Sequence, residues 1–124
     1  MLSALGFDRG RRLLTPADYS RVFKKAKRVS DGNFTILARR RLKSAKTEEQ
    51  LSARLGLAIA KKNIRKAVQR NRIKRQVRES FRHHAQALVG LDLVVMAKRG
   101  ADLQPNDRLA TSLAWLWSDL IKRL

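Results

Sequence analysis

The chain has 124 residues, 44% of them hydrophobic, which suits one folded domain with a core and is short for two. Against 10 Asp and Glu stand 29 Lys and Arg, a formal net charge of +19, so a polyanionic partner is expected. For a folded domain of this charge density, nucleic acid suits better than a membrane surface or an acidic protein. Cysteine is absent, which excludes disulfides, thiolate nucleophiles and cysteine zinc sites. The apolar run at the N-terminus, interrupted by Asp8 and Arg9, is too short for a signal segment, and no stretch approaches the ~18 apolar residues of a membrane span; a cytoplasmic protein is expected.

In chain order, residues 1–12 read as a mobile basic N-terminus to a single domain spanning 1–124. Thr15 before Pro16 reads as a helix N-cap with proline at the first helical position, and Tyr19, Val22, Phe23 and Ala26 follow the spacing of one apolar face, so a helix is expected over 16–26. Asp31-Gly32 is a turn signal. A strand over 34–40 then alternates Phe34, Ile36 and Ala38 with Thr35, Leu37 and Arg39, and a polar loop follows over 41–50. The next strand, over 53–61, has a bulky face of Leu55, Leu57 and Ile59 and a bare face of Gly56, Ala58 and Ala60, which permits close approach of another backbone or element. A long helix is expected from Asn63 as N-cap to about Leu88, ending at Gly90. LDLVVMA at 91–97 suits a strand buried on both faces, and Pro105-Asn106 opens a last helix with Leu109, Leu113, Leu116, Trp117, Leu120 and Leu124 on one face. The order α-β-β-α-β-α indicates an α/β (α+β) fold with one sheet covered by helices.

The long helix carries two stripes. At 100° per residue Ile73, Val77, Phe81, Ala85 and Leu88 form a core row, while Asn71, Arg75, Arg78 and Arg82 line up beside it. Guanidinium groups spaced along a rigid rod match successive phosphates by bidentate hydrogen bonds, and Asn reaches a base edge, ribose or phosphate. Ten Lys and Arg but a single acid, Glu79, lie between residues 61 and 82, so an external anion is expected to relieve their repulsion. Arg70, and nearly Lys74, fall at the edge of the apolar row, so either the first turn projects beyond the core or the helix starts after Asn63.

LGLAIAKKNIRKAVQRNRIKRQVRESFR at 55–82 is a strand ending in a lysine pair, a short linker and an RNR helix, and it resembles the signature of the bacterial ribonuclease P protein subunit. The resemblance extends to RLLTPADYSRVF at 12–23, NFTILARR at 33–40, DLVVMAKRG at 92–100 and the last helix. It implies a ribosomal-protein-like fold with a left-handed βαβ crossover, which ordinary connection rules argue against. It further implies a protein that joins a catalytic RNA subunit and precursor tRNA, without DNA or membrane as partner. The RNA, with the magnesium it mainly holds, removes the 5′ leader; the protein alone binds no metal and supplies no catalytic side chain.

By position, Arg70, Asn71, Arg72, Lys74, Arg75 and Arg78 fill the family's RNR motif against the catalytic RNA, with Arg82 continuing the row and Lys61 and Lys62 as the lysine pair. Tyr19 and Phe23 match the aromatic pair of the leader cleft, with Thr35 and Leu37 on the facing strand, Ala58 and Ala60 on the next, and Lys62 at its edge. Ala58 and Ala60 stand where the family often has Ser or Thr, and Leu37 where it sometimes has an aromatic, which removes hydroxyl and stacking contacts.

Nuclease chemistry by the chain itself would need clustered carboxylates or a histidine pair. The acids are scattered, and His83 and His84, adjacent on a helix, point about 100° apart and read as surface residues. Trp115 lies opposite the apolar stripe of the last helix and is expected to be exposed, Trp117 to be core. A non-catalytic ribosomal or RNA-chaperone protein is the alternative with the same fold and charge. A helix-turn-helix DNA binder fits less well, since no second helix follows in tandem.

Overall fold

The computed structural model describes residues 15–41 and 52–124; the expected N-terminal segment 1–12 and loop residues 42–50 lie outside them. The first helix, α1 (Pro16–Lys24), opens on a reciprocal cap: Asp18 N donates to Thr15 Oγ1 at 3.1 Å, and Thr15 N donates to Asp18 Oδ2 at 3.2 Å. It ends two residues before the expected Ala26.

A strand absent from the sequence reading follows, β1 (Lys27–Ser30), paired antiparallel with β2 (Phe34–Arg40). KRVS turns only Val29 inward, so a sheet edge of this length leaves almost no periodic signal. Asp31 makes the turn between them. Its Oδ1 accepts from the backbone N–H groups of Asn33 and Phe34, both at 2.9 Å, and Oδ2 accepts from the Ser112 hydroxyl.

Strand β3 (Arg54–Ala58) is parallel to β4 (Leu91–Ala97), and β4 is antiparallel to β2, giving the order β1-β2-β4-β3. Between them runs α2 (Ala67–His84), continued by a 3₁₀ turn at Ala85–Leu88. The structure thus adds one strand to the expected order, shortens β3 by three residues at its end, and starts α2 after Asn63. Ala60 explains the last two differences: its carbonyl accepts from the N–H groups of Asn63 and Ile64 at 3.1 and 3.0 Å, so the chain turns there. Asn63 caps nothing; its Nδ2 donates to the Ala97 carbonyl at 3.0 Å and ties the linker to the end of β4.

The last helix, α3 (Asn106–Arg123), lies with α2 on one face of the sheet. Between these layers sits the main core, with Phe34 and Ile36 of β2, Leu55 of β3, Ile73, Val77 and Phe81 of α2, and Leu113, Leu116 and Trp117 of α3. The Phe81 and Trp117 rings meet edge to face at 6.2 Å, and Trp117 Nε1 donates to Ser80 Oγ at 2.9 Å, so the one polar atom of the indole is satisfied inside. Trp115 is 57% exposed, as its place on the wheel indicates.

Strand β4 is buried on both faces, yet one of its residues is an acid. Asp92, 6% exposed, accepts from Arg54 Nε and Nη2, both at 2.8 Å, and from Arg41 Nη1 at 3.1 Å. Arg54 reaches on to Asp18 of α1 at 3.8 Å, so a chain of alternating charges pins α1 to β3 and β4. The Asp92 hydrogen bond holds the Arg54 guanidinium above its ordinary range despite its burial, and the nearby Asp92 and Asp18 charges add to this. Asp92→Asn removes the shared charge and leaves two arginines facing each other. Because both retain some solvent, the expected loss is on the order of 2–3 kcal/mol, below the roughly 3–5 of a fully buried pair, read as a lower urea midpoint at unchanged slope.

Candidate nucleic-acid interface

Among the described residues α1 covers the sheet face opposite the main core, and strand register sorts that face into three rows. The first joins Arg39, Asp92 and Arg54; the second Leu37, Val94 and Gly56; the third Thr35, Met96 and Ala58. Asp18 is anchored over the first row. Val22 packs with Leu37 and Val94 in the second, forming a small cluster separate from the main core. Tyr19 lies on Gly56: a β-carbon there would stand 2.7 Å from Tyr19 Cε1. The bare face of β3 is therefore first a seat for an aromatic ring.

Beyond α1 the third row is less covered. Met96 and Ala58 are partly exposed, as is Ala60 just past the strand, whereas Thr35 is 5% exposed. Above them Tyr19 is partly buried and Phe23, one turn later, is 50% exposed, so Phe23 is not a core residue. Lys61 and Lys62 stand exposed in the turn after Ala60. The result is a floor of small and flexible side chains with Tyr19 against it, Phe23 exposed one turn further along α1, and two cations in the turn that follows Ala60. Leu37 belongs beneath α1 rather than on that floor. Met96 was missed in the sequence because β4 reads as apolar throughout; alternation with Val94 is the signal that places it on this face.

The RNR segment divides by what its side chains touch. Asn71, Arg75 and Arg78 are exposed along one side of α2; Lys74 is half-buried; Arg82 is bonded to Glu79. Arg70 folds back over the linker, its Nη1 donating to the carbonyls of Ile64 and Arg65 at 2.9 and 2.8 Å. Its position at the edge of the apolar row thus follows from a helix that starts at Ala67. Arg72 bridges elements: Nη1 donates to Asn106 Oδ1 at 2.7 Å, Nη2 to the Asp102 carbonyl at 3.0 Å, and Nε to Gln69 Oε1 at 2.9 Å. His83 is exposed beside Glu79, and the His84 ring bonds the Ser80 carbonyl of its own helix. Among the described residues, no helix is long and apolar enough to cross a membrane.

Comparison with known proteins gives this geometry a family. The Ribonuclease P family profile matches residues 7–121. The chain belongs to the ribonuclease P protein family. Among its relatives, the ribonuclease P protein component of Marinobacter nauticus is 47% identical over 123 residues, covering 98% of this chain and 87% of that protein. That of Pseudoalteromonas atlantica is 45% identical over 117 residues, covering 94% and 92%. The solved RNase P protein of Staphylococcus aureus superposes with a TM-score of 0.74 at 28% identity, covering 88% of this chain and 94% of that one. The Thermotoga maritima protein, solved with 1-(4-fluorophenyl)-2-thiourea, gives 0.68 at 27% identity, covering 86% and 94%. In this ribonuclease P protein the fit of Tyr19 on Gly56 is directly testable. Gly56→Ala should cost about 1–3 kcal/mol in urea unfolding by displacing the ring, and nearly nothing in a Tyr19→Ala background, where the space is free.

Proposed function

We propose that this protein works as a ribonuclease P subunit by presenting two RNA surfaces: the exposed side of α2 to the catalytic RNA, and the floor beside α1 to the single-stranded 5′ leader of precursor tRNA. The observation that carries this reading is the separation of the two: Asn71, Arg75 and Arg78 rise from a helix on one face of the sheet, while Tyr19, Ala58 and Met96 gather on the other, with Phe23 exposed one turn further along α1. A rigid row of guanidinium groups suits the phosphates of a folded RNA. An aromatic wall over a small-residue floor suits unpaired bases, where each stacked base contributes about 1–3 kcal/mol with little regard to sequence. Lys61 and Lys62, where the floor ends, suit the leader backbone near the point of cleavage.

In this account hydrolysis of the phosphodiester belongs to the RNA and its magnesium ions. Among the described residues no three His, Cys, Asp or Glu side chains converge; in this reading the protein's part is affinity, orientation and charge neutralisation. Reconstitution tests the reading: with a bacterial ribonuclease P RNA, the chain should raise cleavage of precursor tRNA at low magnesium. Absence of stimulation at every magnesium concentration would favour an RNA-chaperone role. Arg75→Ala and Arg78→Ala should each weaken binding to the catalytic RNA and flatten log affinity against log salt by about 0.7–0.9 per lost phosphate contact. Unchanged slopes in both would remove α2 from the interface.

A further inference from the structure

An open groove of about 490 Å³ lies between the linker that precedes α2 and the turn that follows β4. Four cations line it, Lys62, Arg65 and Lys66 from the linker and Arg99 from the turn, and all four are exposed. Among the described residues none of them forms an ion pair; the one acid in the wall is Asp102. Four like charges around one concavity repel one another. A segment without regular structure would ordinarily spread them apart.

Three side-chain straps keep them together. Asn63 ties the linker to the end of β4 through the Ala97 carbonyl, Arg70 closes the linker on itself through the carbonyls of Ile64 and Arg65, and Arg72 ties α2 to the far wall through the Asp102 carbonyl and Asn106. Both walls are thereby fixed relative to the first turns of α2. We infer that this groove is a preorganised phosphodiester site for an RNA backbone, in which Lys62, Arg65, Lys66 and Arg99 hold the phosphates while Arg70 and Arg72 act as positioning residues. The inference rests on the proposed RNA-binding function and redistributes its work. Two arginines of the RNR segment act through acceptors within the fold, Arg70 through backbone carbonyls and Arg72 through one backbone carbonyl and two side-chain amides, and two residues outside that segment, Arg65 and Arg99, make direct contacts.

Arg65→Ala and Arg99→Ala remove exposed side chains that form no ion pair among the described residues, so both variants should melt as the parent chain does. Each should flatten the dependence of log affinity on log salt by about 0.7–0.9, against the isolated catalytic RNA if that strand fills the groove, or against precursor tRNA in the reconstituted holoenzyme if the substrate does. Lys122→Ala, near the other end of α3 and about 24 Å along its axis from Asn106, removes the same charge and should leave both slopes unchanged. Arg72→Lys keeps the charge but cannot span three acceptors, so it should lose as much affinity as Arg72→Ala; Arg99→Lys should stay near the parent value. Slopes unchanged in Arg65→Ala and Arg99→Ala on both RNAs, an equal change in Lys122→Ala, or parental affinity in Arg72→Lys would each overturn the inference. If the parent chain itself bound neither RNA, the functional reading would fail first, and the two failures are thus separable.

Discussion

A single buried carboxylate governs how this sheet can be used. Asp92 sits on β4, the strand shared by both neighbours, and draws Arg54 and Arg41 inward with Asp18 of α1 at the end of the chain of charges. In a molecule with so large a cationic excess, that acid at that point fixes where a nine-residue helix can lie. With α1 held over the ionic and apolar rows, Met96 and Ala58 of the third row stay partly exposed among the described residues. The floor beside Tyr19 and Phe23 is what remains of a sheet face that one short helix cannot span. Asp92 therefore shapes a surface it does not touch.

The opposite face follows a different rule. There α2 and α3 bury a large core, and α2, which gives Ile73, Val77 and Phe81 to it, also carries the exposed cations. A row of arginines can be borne on such a helix because the core row beneath fixes its rotation, through Ile73, Val77 and Phe81 and the Trp117 to Ser80 bond. The cations then divide into two kinds of work. Those bonded to carbonyls hold the linker and the turn after β4 in place; those without partners among the described residues present charge outward. Like-charge density of this degree is stable in the folded chain only when part of it is spent on backbone acceptors and the rest faces solvent or a polyanion.

Much of this was legible in the sequence because it rests on periodicity. The two stripes of α2, the faces of β2 and β3, the Thr15 cap and the contrast between Trp115 and Trp117 all follow from spacing, and the structure reproduces them. What was not legible rests on contacts between distant residues. Strand β1 has one inward side chain and is defined by its partner β2. The start of α2 is set by Asn63 bonding Ala97 rather than capping its own helix, a choice made 34 residues away in sequence. The RNR residues look equivalent on a helical wheel, yet Arg70 and Arg72 meet carbonyls that only the folded linker and turn supply. Leu37 was placed on the correct face of its strand, but burial beneath α1 depends on where Asp92 anchors that helix.

The central claim is that leader and catalytic RNA meet separate surfaces of one small domain. The most direct measurement is the affinity of the reconstituted holoenzyme for precursor and for mature tRNA, in the parent protein and in Tyr19→Ala and Phe23→Ala, alongside the affinity of each protein for the catalytic RNA. The account predicts that the preference for precursor over mature tRNA falls by on the order of tenfold, the loss of roughly one stacked base, while binding to the catalytic RNA is unchanged. A parallel loss of both affinities would contradict it, because the two surfaces would then be one.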